Sequence, residues 1–309
     1  MIESIRTEAQ AQYGPQAAET LAEQVKSAAS QGAEVLLDGG RVVGIGLYSR
    51  HRQAGRIGLV HVLPPYLHSA AYHQLVDAVV SRLRQYGVTE IVCEGGTLQG
   101  LALGDALTAA GFTVHERAIL SRPAGDIAPP DLPAGCEFVP LNAVPRSEIA
   151  TVVFDAFAGG PDAAFDYHFR SPAETRELCD GLFAGQHGPY RDELSLGLHA
   201  PEGLAGIVFA TVTPASHGFI LLVAVSPAWQ GRGLGHSLML ETIRRLYLAG
   251  CPQVDLAVTV ANLPAWHLYR RMGFTVSRFF SVYHLVLSPW QAGWYNTSTN
   301  NTPCGTGVG

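Results

Sequence analysis

The pattern best suited to chemistry is Leu221-Leu222-Val223-Ala224-Val225-Ser226-Pro227-Ala228-Trp229-Gln230-Gly231-Arg232-Gly233-Leu234-Gly235-His236. An apolar run stops at a proline, and a turn with three glycines opens directly onto a helical pattern. Gly231, Gly233 and Gly235 allow a sharp turn and leave no Cβ between the backbone N–H groups and a ligand. The first N–H groups of a helix have no partner within it and sit at the positive end of its dipole. Together these features suit a phosphate or pyrophosphate. Two familiar versions of such a site are excluded. No GxxxxGK[ST] is present, and a GxGxxG reading from Gly231 needs glycine where His236 stands. A plain strand-to-helix connection is the competing reading. Farther along, Asn262 precedes Leu263-Pro264, and Tyr269 precedes Arg270-Arg271-Met272-Gly273-Phe274. Asn262 reads equally as a helix cap or as a ligand to a cofactor. Tyr269 reads as an ordinary half-buried tyrosine or as a proton donor.

The elements that would carry these residues follow from periodicity. Leu238, Met239, Thr242, Ile243 and Leu246 share one face of a helix expected over Leu234–Ala249. Around it the sequence predicts strands Glu137–Leu141, Glu193–His199, Leu204–Thr213, Gly218–Val225, Gln253–Val258 and Phe274–Leu287. It also predicts helices Arg146–Phe157, Pro172–Ala184 and Pro264–Met272. The first half predicts helix Gln16–Ser30 and strands Ala33–Leu37, Arg41–Tyr48 and Arg56–Leu63. A helix through Leu75, Val76, Val79, Val80 and Leu83, strand Glu90–Cys93, helix Leu101–Ala110 and a further strand come next. This order is that of a mixed α/β sheet with helices packed on it.

The two halves repeat one another. Gly111-Phe112-Thr113-Val114 recurs as Gly273-Phe274-Thr275-Val276, and Pro65 and Pro227 each close an apolar run ahead of a helix. Between the halves, Pro123, Pro129, Pro130 and Pro133 mark a linker, because proline lacks the N–H that a ladder needs. The expected organisation is a first domain over 1–122, a linker over 123–135, a second domain over 136–288 and a polar, disordered tail over 289–309. In the first half the register sets His68-Ser69-Ala70-Ala71-Tyr72-His73 against the glycine turn, Leu107 against Tyr269 and Gly100 against Asn262. The first copy is thus expected to lack the phosphate site.

Composition narrows the class. The chain of 309 residues is 47% hydrophobic and 15% charged, too apolar for intrinsic disorder. A net charge of −6 argues against a nucleic-acid partner. No stretch of about 18 apolar residues is unbroken, so no membrane span is expected. Met1–Arg6 carries no apolar run of a leader, and Cys93, Cys136, Cys179, Cys251 and Cys304 form no paired spacing. These point to a cytoplasmic protein with reduced thiols, and Asn296 and Asn300 read as chance sequon matches. His68 and His73 have no metal-ligand spacing, and no metal site is expected. Arg244-Arg245 and Arg270-Arg271 read as solvated helix faces.

Gln230-Gly231-Arg232-Gly233-Leu234-Gly235 resembles the Q/R-x-x-G-x-G/A signature of the GCN5-related N-acetyltransferase (GNAT) superfamily. Asn262 and Tyr269…Gly273-Phe274 resemble its second conserved block. The resemblance covers about 136–287. It implies two tandem GNAT-like domains, the first degenerate, each a mixed, mostly antiparallel sheet flanked by helices. It implies acetyl-CoA as co-substrate, held by Val223, Ala224, Val225, Gln230, Gly231, Arg232, Gly233, Leu234, Gly235, His236 and Asn262. The pantetheine would pair with Val223 and Val225 in a cleft where the central strand splays from the next at a bulge. Direct attack by an amine of a small molecule or peptide, with Tyr269 as general acid, is the implied reaction. A non-catalytic acyl-CoA-binding regulator, or a transferase using another acyl-CoA, are the alternatives. The general base has no motif: Glu193, His217, Asp255 and His284 are candidates by type alone. The resemblance places Asp162…Asp166-Tyr167-His168 over the acceptor site.

Overall fold

A computed structural model describes residues 32–67, 69–94 and 101–287. The expected helix Gln16–Ser30, His68, Gly100 and the tail over 289–309, with its sequons and Cys304, lie outside the described residues. The chain divides into two compact units, one running up to Thr113 and resuming at Tyr283, the other Val114–Val282.

In the first unit, β1 (Ala33–Asp38), β2 (Arg41–His51) and β3 (Ala54–Val62) are antiparallel neighbours. Helix α1 (Ser69–Gln85) leads to β4 (Glu90–Glu94), which runs parallel to β3, and α2 (Leu101–Ala109) follows. The α1 face expected from periodicity is the one that is buried: Leu75, Val76, Val79, Val80 and Leu83 pack with Ile57, Val62 and Ile91. Tyr283 and the residues after it close this unit. Leu287 N donates to Thr89 O at 2.7 Å, and His284 Nε2 lies 2.9 Å from Glu90 Oε2, both side chains buried.

The second unit begins with β5 (Thr113–Pro123) and β6 (Glu137–Pro140), then helices α3 (Arg146–Phe157) and α4 (Pro172–Phe183). Strands β7 (Leu196–Ala200), β8 (Gly203–Val212) and β9 (Gly218–Val225) follow, then α5 (Leu234–Leu248), β10 (Gln253–Thr259), α6 (Leu263–Arg271) and β11 (Thr275–Val286). The strand order is β5-β10-β9-β8-β7-β6, antiparallel except between β9 and β10. The mixed, mostly antiparallel α/β sheet matches expectation. Leu238, Met239, Ile243 and Leu246 of α5 fill one core, and α3 and α4 cover Ile207, Phe209 and Leu222 in another.

The unit limits differ from 122 and 136 for a reason visible in the ladder. Strand β5 precedes the proline-rich stretch, yet Arg117–Pro123 pair with Thr259–Gln253 of β10, so the strand counts with the second unit. Its Ala118 and Leu120 are wholly buried in the core under α5.

Candidate active site

The site is built where β9 leaves β10. The parallel ladder pairs Val254 with Gly218, Asp255 with Phe219 and Leu256 with Ile220, and ends there. On its other edge β9 stays paired with β8, with a register shift between Phe209 and Ala210 opposite Ile220–Leu222. From Leu221 to Val225 the strand thus has a partner on one side only, and a cleft opens toward the C-terminal ends of β9 and β10. Val223 and Val225 are partly exposed along it, whereas Ala224 is buried.

The cleft ends at the glycine turn. Gly231 and Gly233 have φ of 76° and 86°, left-handed backbone that side chains rarely adopt, and a Cβ on either would meet no atom within 4 Å. Gly233 is the N-cap of α5, and no side chain caps the helix. Its first N–H groups therefore face open space at the positive end of the dipole. Gly235 is different: it lies within the helix, and a Cβ there would make ordinary contacts with Val225 Cγ2 at 3.6 Å and Leu268 Cδ2 at 3.7 Å. Gln230 Nε2 donates to Val225 O at 3.0 Å, tying the turn to the strand end. Arg232 lies over the Trp229 ring at 4.5 Å, and His236 is exposed. The Leu234 side chain belongs to the core, which leaves its backbone for a ligand.

Helix α6 follows β10 and packs on the core under α5, with Leu268 Cδ2 3.7 Å from where a Cβ on Gly235 would sit. Asn262 caps α6, Oδ1 accepting from Ala265 N at 3.3 Å. Tyr269 rests edge-on against Phe274, and its hydroxyl has no hydrogen-bond partner among the described residues. Loss of water, with the Asp162 carboxylate adding to it, pushes the phenol up to about 12.

Asp162 comes from the segment between α3 and α4. It is buried, and its Oδ1 accepts from Thr259 Oγ1 at 2.7 Å, which fixes that segment to the end of β10. Nearby, Asp166 Oδ1 meets both His168 Nδ1 at 2.7 Å and His168 N at 3.0 Å. Burial raises the Asp166 carboxyl, but His168, with Arg117 behind it, holds it below its ordinary value. Arg117 stands opposite Thr259 in the ladder, between the rings of Phe165 and Phe280, and its buried Nε has no hydrogen-bond partner among the described residues.

The four base candidates lie elsewhere. Asp255 holds His217 and Gln253 at the end of β10 where the ladder is closed. Glu193 is exposed and joined to Arg191. His284 is buried against Glu90 in the first unit. Nor are the arginine pairs simply solvated. Arg244 forks onto the buried Glu241 at 2.8 Å, Arg245 Nε donates to Glu241 Oε1 at 2.8 Å, and Arg270 Nη1 donates to Phe274 O. The i, i+3 and i+4 spacing from Glu241 was the available signal. Thr259 and Arg117 had none, the latter being placed by a strand from before the linker.

Residues 164–274 match the family model described as Acetyltransferase (GNAT) family. Over these residues, about a third of the chain, it is similar to that family. Relatives named mycothiol acetyltransferase include one from Gordonia bronchialis, 32% identical over 37% of this chain and 37% of its own. Another, from Kineococcus radiotolerans, is 36% identical over 48% of this chain and 46% of its own. The chain thus spans less than half the length of these relatives. Among solved structures, a GCN5-related N-acetyltransferase from Sphaerobacter thermophilus aligns with 88% of this chain and 86% of its own, at TM-score 0.67 and 17% identity. A tandem GNAT protein from the clavulanic acid biosynthesis pathway aligns over 87% and 88%, at TM-score 0.55 and 16% identity. Both share the fold. Among the described residues no helix is long and apolar enough to cross a membrane.

Proposed function

We propose that the second unit transfers the acetyl group of acetyl-CoA to a primary amine. The observation that carries this reading is the β9 edge left unpaired beyond Ile220 and leading into a left-handed, uncapped glycine turn, with a phenol held neutral on the helix that follows β10. The diphosphate lies on the N–H groups from Gly231 to His236, with Arg232 near enough to add charge. The pantetheine amides pair with the free edge at Val223 and Val225. The amine attacks the thioester carbonyl directly, and a backbone N–H near Val223 stabilises the oxyanion. Tyr269 then donates its proton to the departing thiolate, a role that needs the phenol protonated at neutral pH. Asn262 is assigned to the helix cap, with its amide nitrogen left to meet the cofactor. The first unit is a second copy of the fold that has lost the cofactor site: Leu107, the counterpart of Tyr269, is wholly buried. The acceptor is a small-molecule amine, and the relatives' name places mycothiol-type amines first on the panel to be tried. Thiol release from acetyl-CoA with such a panel tests the reading. Acetyl-CoA binding without any turnover would instead support the regulatory alternative.

A further inference from the structure

Asp162 is 8% exposed, and only one of its two carboxylate oxygens is used by the protein. Oδ2 accepts no hydrogen bond among the described residues, and no Lys, Arg or His lies within ion-pair distance of either oxygen. The contrast with Asp166 is direct, since that carboxylate has His168 Nδ1 at 2.7 Å and Arg117 within electrostatic range. A buried carboxylate without a cation is costly, and its charge already raises the Tyr269 phenol. The missing partner is a cation that visits.

We infer that Asp162 binds the acceptor amine and takes its proton. The assignment rests on the acetyl-transfer reading above. The acceptor enters as an ammonium paired with Oδ2 and passes one proton through it to water, leaving a neutral amine whose N–H hydrogen-bonds to Oδ2, while the Thr259 hydroxyl holds Oδ1 and so fixes the carboxylate's orientation. The nitrogen lone pair forms the bond to the thioester carbon, and the carbonyl π pair moves to oxygen. The nitrogen, now cationic, gives a proton to Oδ2. The carbonyl re-forms as the carbon–sulfur bond breaks, and the sulfur takes its proton from Tyr269. Asp162 loses its proton to water and Tyr269 regains one, so amine plus thioester becomes amide plus thiol. The groups acting on the Asp162 carboxylate are the Tyr269 phenol from α6, whose ionisation it opposes, and the neutral Thr259 hydroxyl from β10.

The test is Asp162→Asn in the full chain, which keeps the Oδ1 acceptor for Thr259 and turns Oδ2 into a donor. Acetyl-CoA binding is measured by calorimetry, and acetyl transfer is followed with a mycothiol-type amine, glucosamine, tyramine, spermidine and a lysine peptide. Wild type should bind acetyl-CoA and turn over at least one amine. The variant should bind acetyl-CoA within about twofold of wild type and lose roughly 10²–10⁴-fold in kcat/KM for that amine. Thr259→Val, which frees the carboxylate without removing it, should lose about tenfold and guards against a misfolded Asn variant. An Asn variant within twofold of wild type in kcat/KM would overturn the assignment alone, whereas a wild type that binds acetyl-CoA but uses no amine would overturn the acetyl-transfer reading and the assignment with it. A wild type that does not bind acetyl-CoA would overturn the acetyl-transfer reading itself.

Discussion

Tyr269 is kept neutral by what surrounds it, and a neutral phenol is what a leaving thiolate requires. With the phenol pushed up to about 12, ionisation of Tyr269 takes no part in the pH profile below about pH 10. Tyr269→Phe removes one hydroxyl and almost no volume. Its kcat should fall roughly 10²–10⁴-fold while acetyl-CoA affinity, read by calorimetry, stays close to wild type. A loss of affinity with kcat preserved would make Tyr269 a binding residue. At this scale the sequence was informative about local backbone, as at Gly231 and Gly233, whose left-handed conformation the glycine pattern suits. It was silent where a partner arrives from far away. Nothing near Asp162 announces Thr259, 97 positions on, and nothing near Thr259 announces Arg117 across the ladder. Neither pairing exists until the sheet has formed.

Among the elements, the turn before α5 and the helix itself make separable demands. Gly233 combines open space for a Cβ with a left-handed φ of 86°, so a side chain there both strains the backbone and occupies the approach to the helix start. Gly233→Val should abolish acetyl-CoA binding. Gly235→Ala, whose Cβ meets only ordinary contacts, should bind within a few-fold of wild type, with calorimetry again deciding. On the same helix, Glu241 is pushed up by burial but pulled further down by Arg244 and Arg245, and ends below its ordinary value. Its contribution is therefore complete above the unfolded value near 4.3 and is lost as pH falls through the lower folded value. Glu241→Gln should cost roughly 1.5–3 kcal/mol in urea melts at pH 7, and the gap to wild type should narrow below about pH 4. Most element positions were legible from periodicity. The expected helix Arg146–Phe157 and strand Gly218–Val225 coincide with those observed. The strand expected from Glu193 instead starts at Leu196, because residues 192–194 form a turn in which Leu194 N donates to Arg191 O.

For the molecule as a whole, the proposal that the first unit is a copy without the glycine turn leads to an asymmetric expectation. Calorimetry of the full chain should find one acetyl-CoA per chain, since α1 starts among Ser69, Ala70 and Ala71 rather than glycines. Two sites of similar affinity would reverse the reading of the first unit. The organisation of the units was the least legible part of the chain. Proline marks where a strand cannot continue, but it does not say which sheet the preceding strand has joined. The feature with the longest reach is the interruption of the first unit between Thr113 and Tyr283. The ribosome makes about 170 residues between those points, which takes roughly ten to thirty seconds. For that time Glu90 lacks the imidazole of His284, and the core under α1 lacks Leu285 and Leu287. The half of the protein that is synthesised first is therefore the half that is completed last.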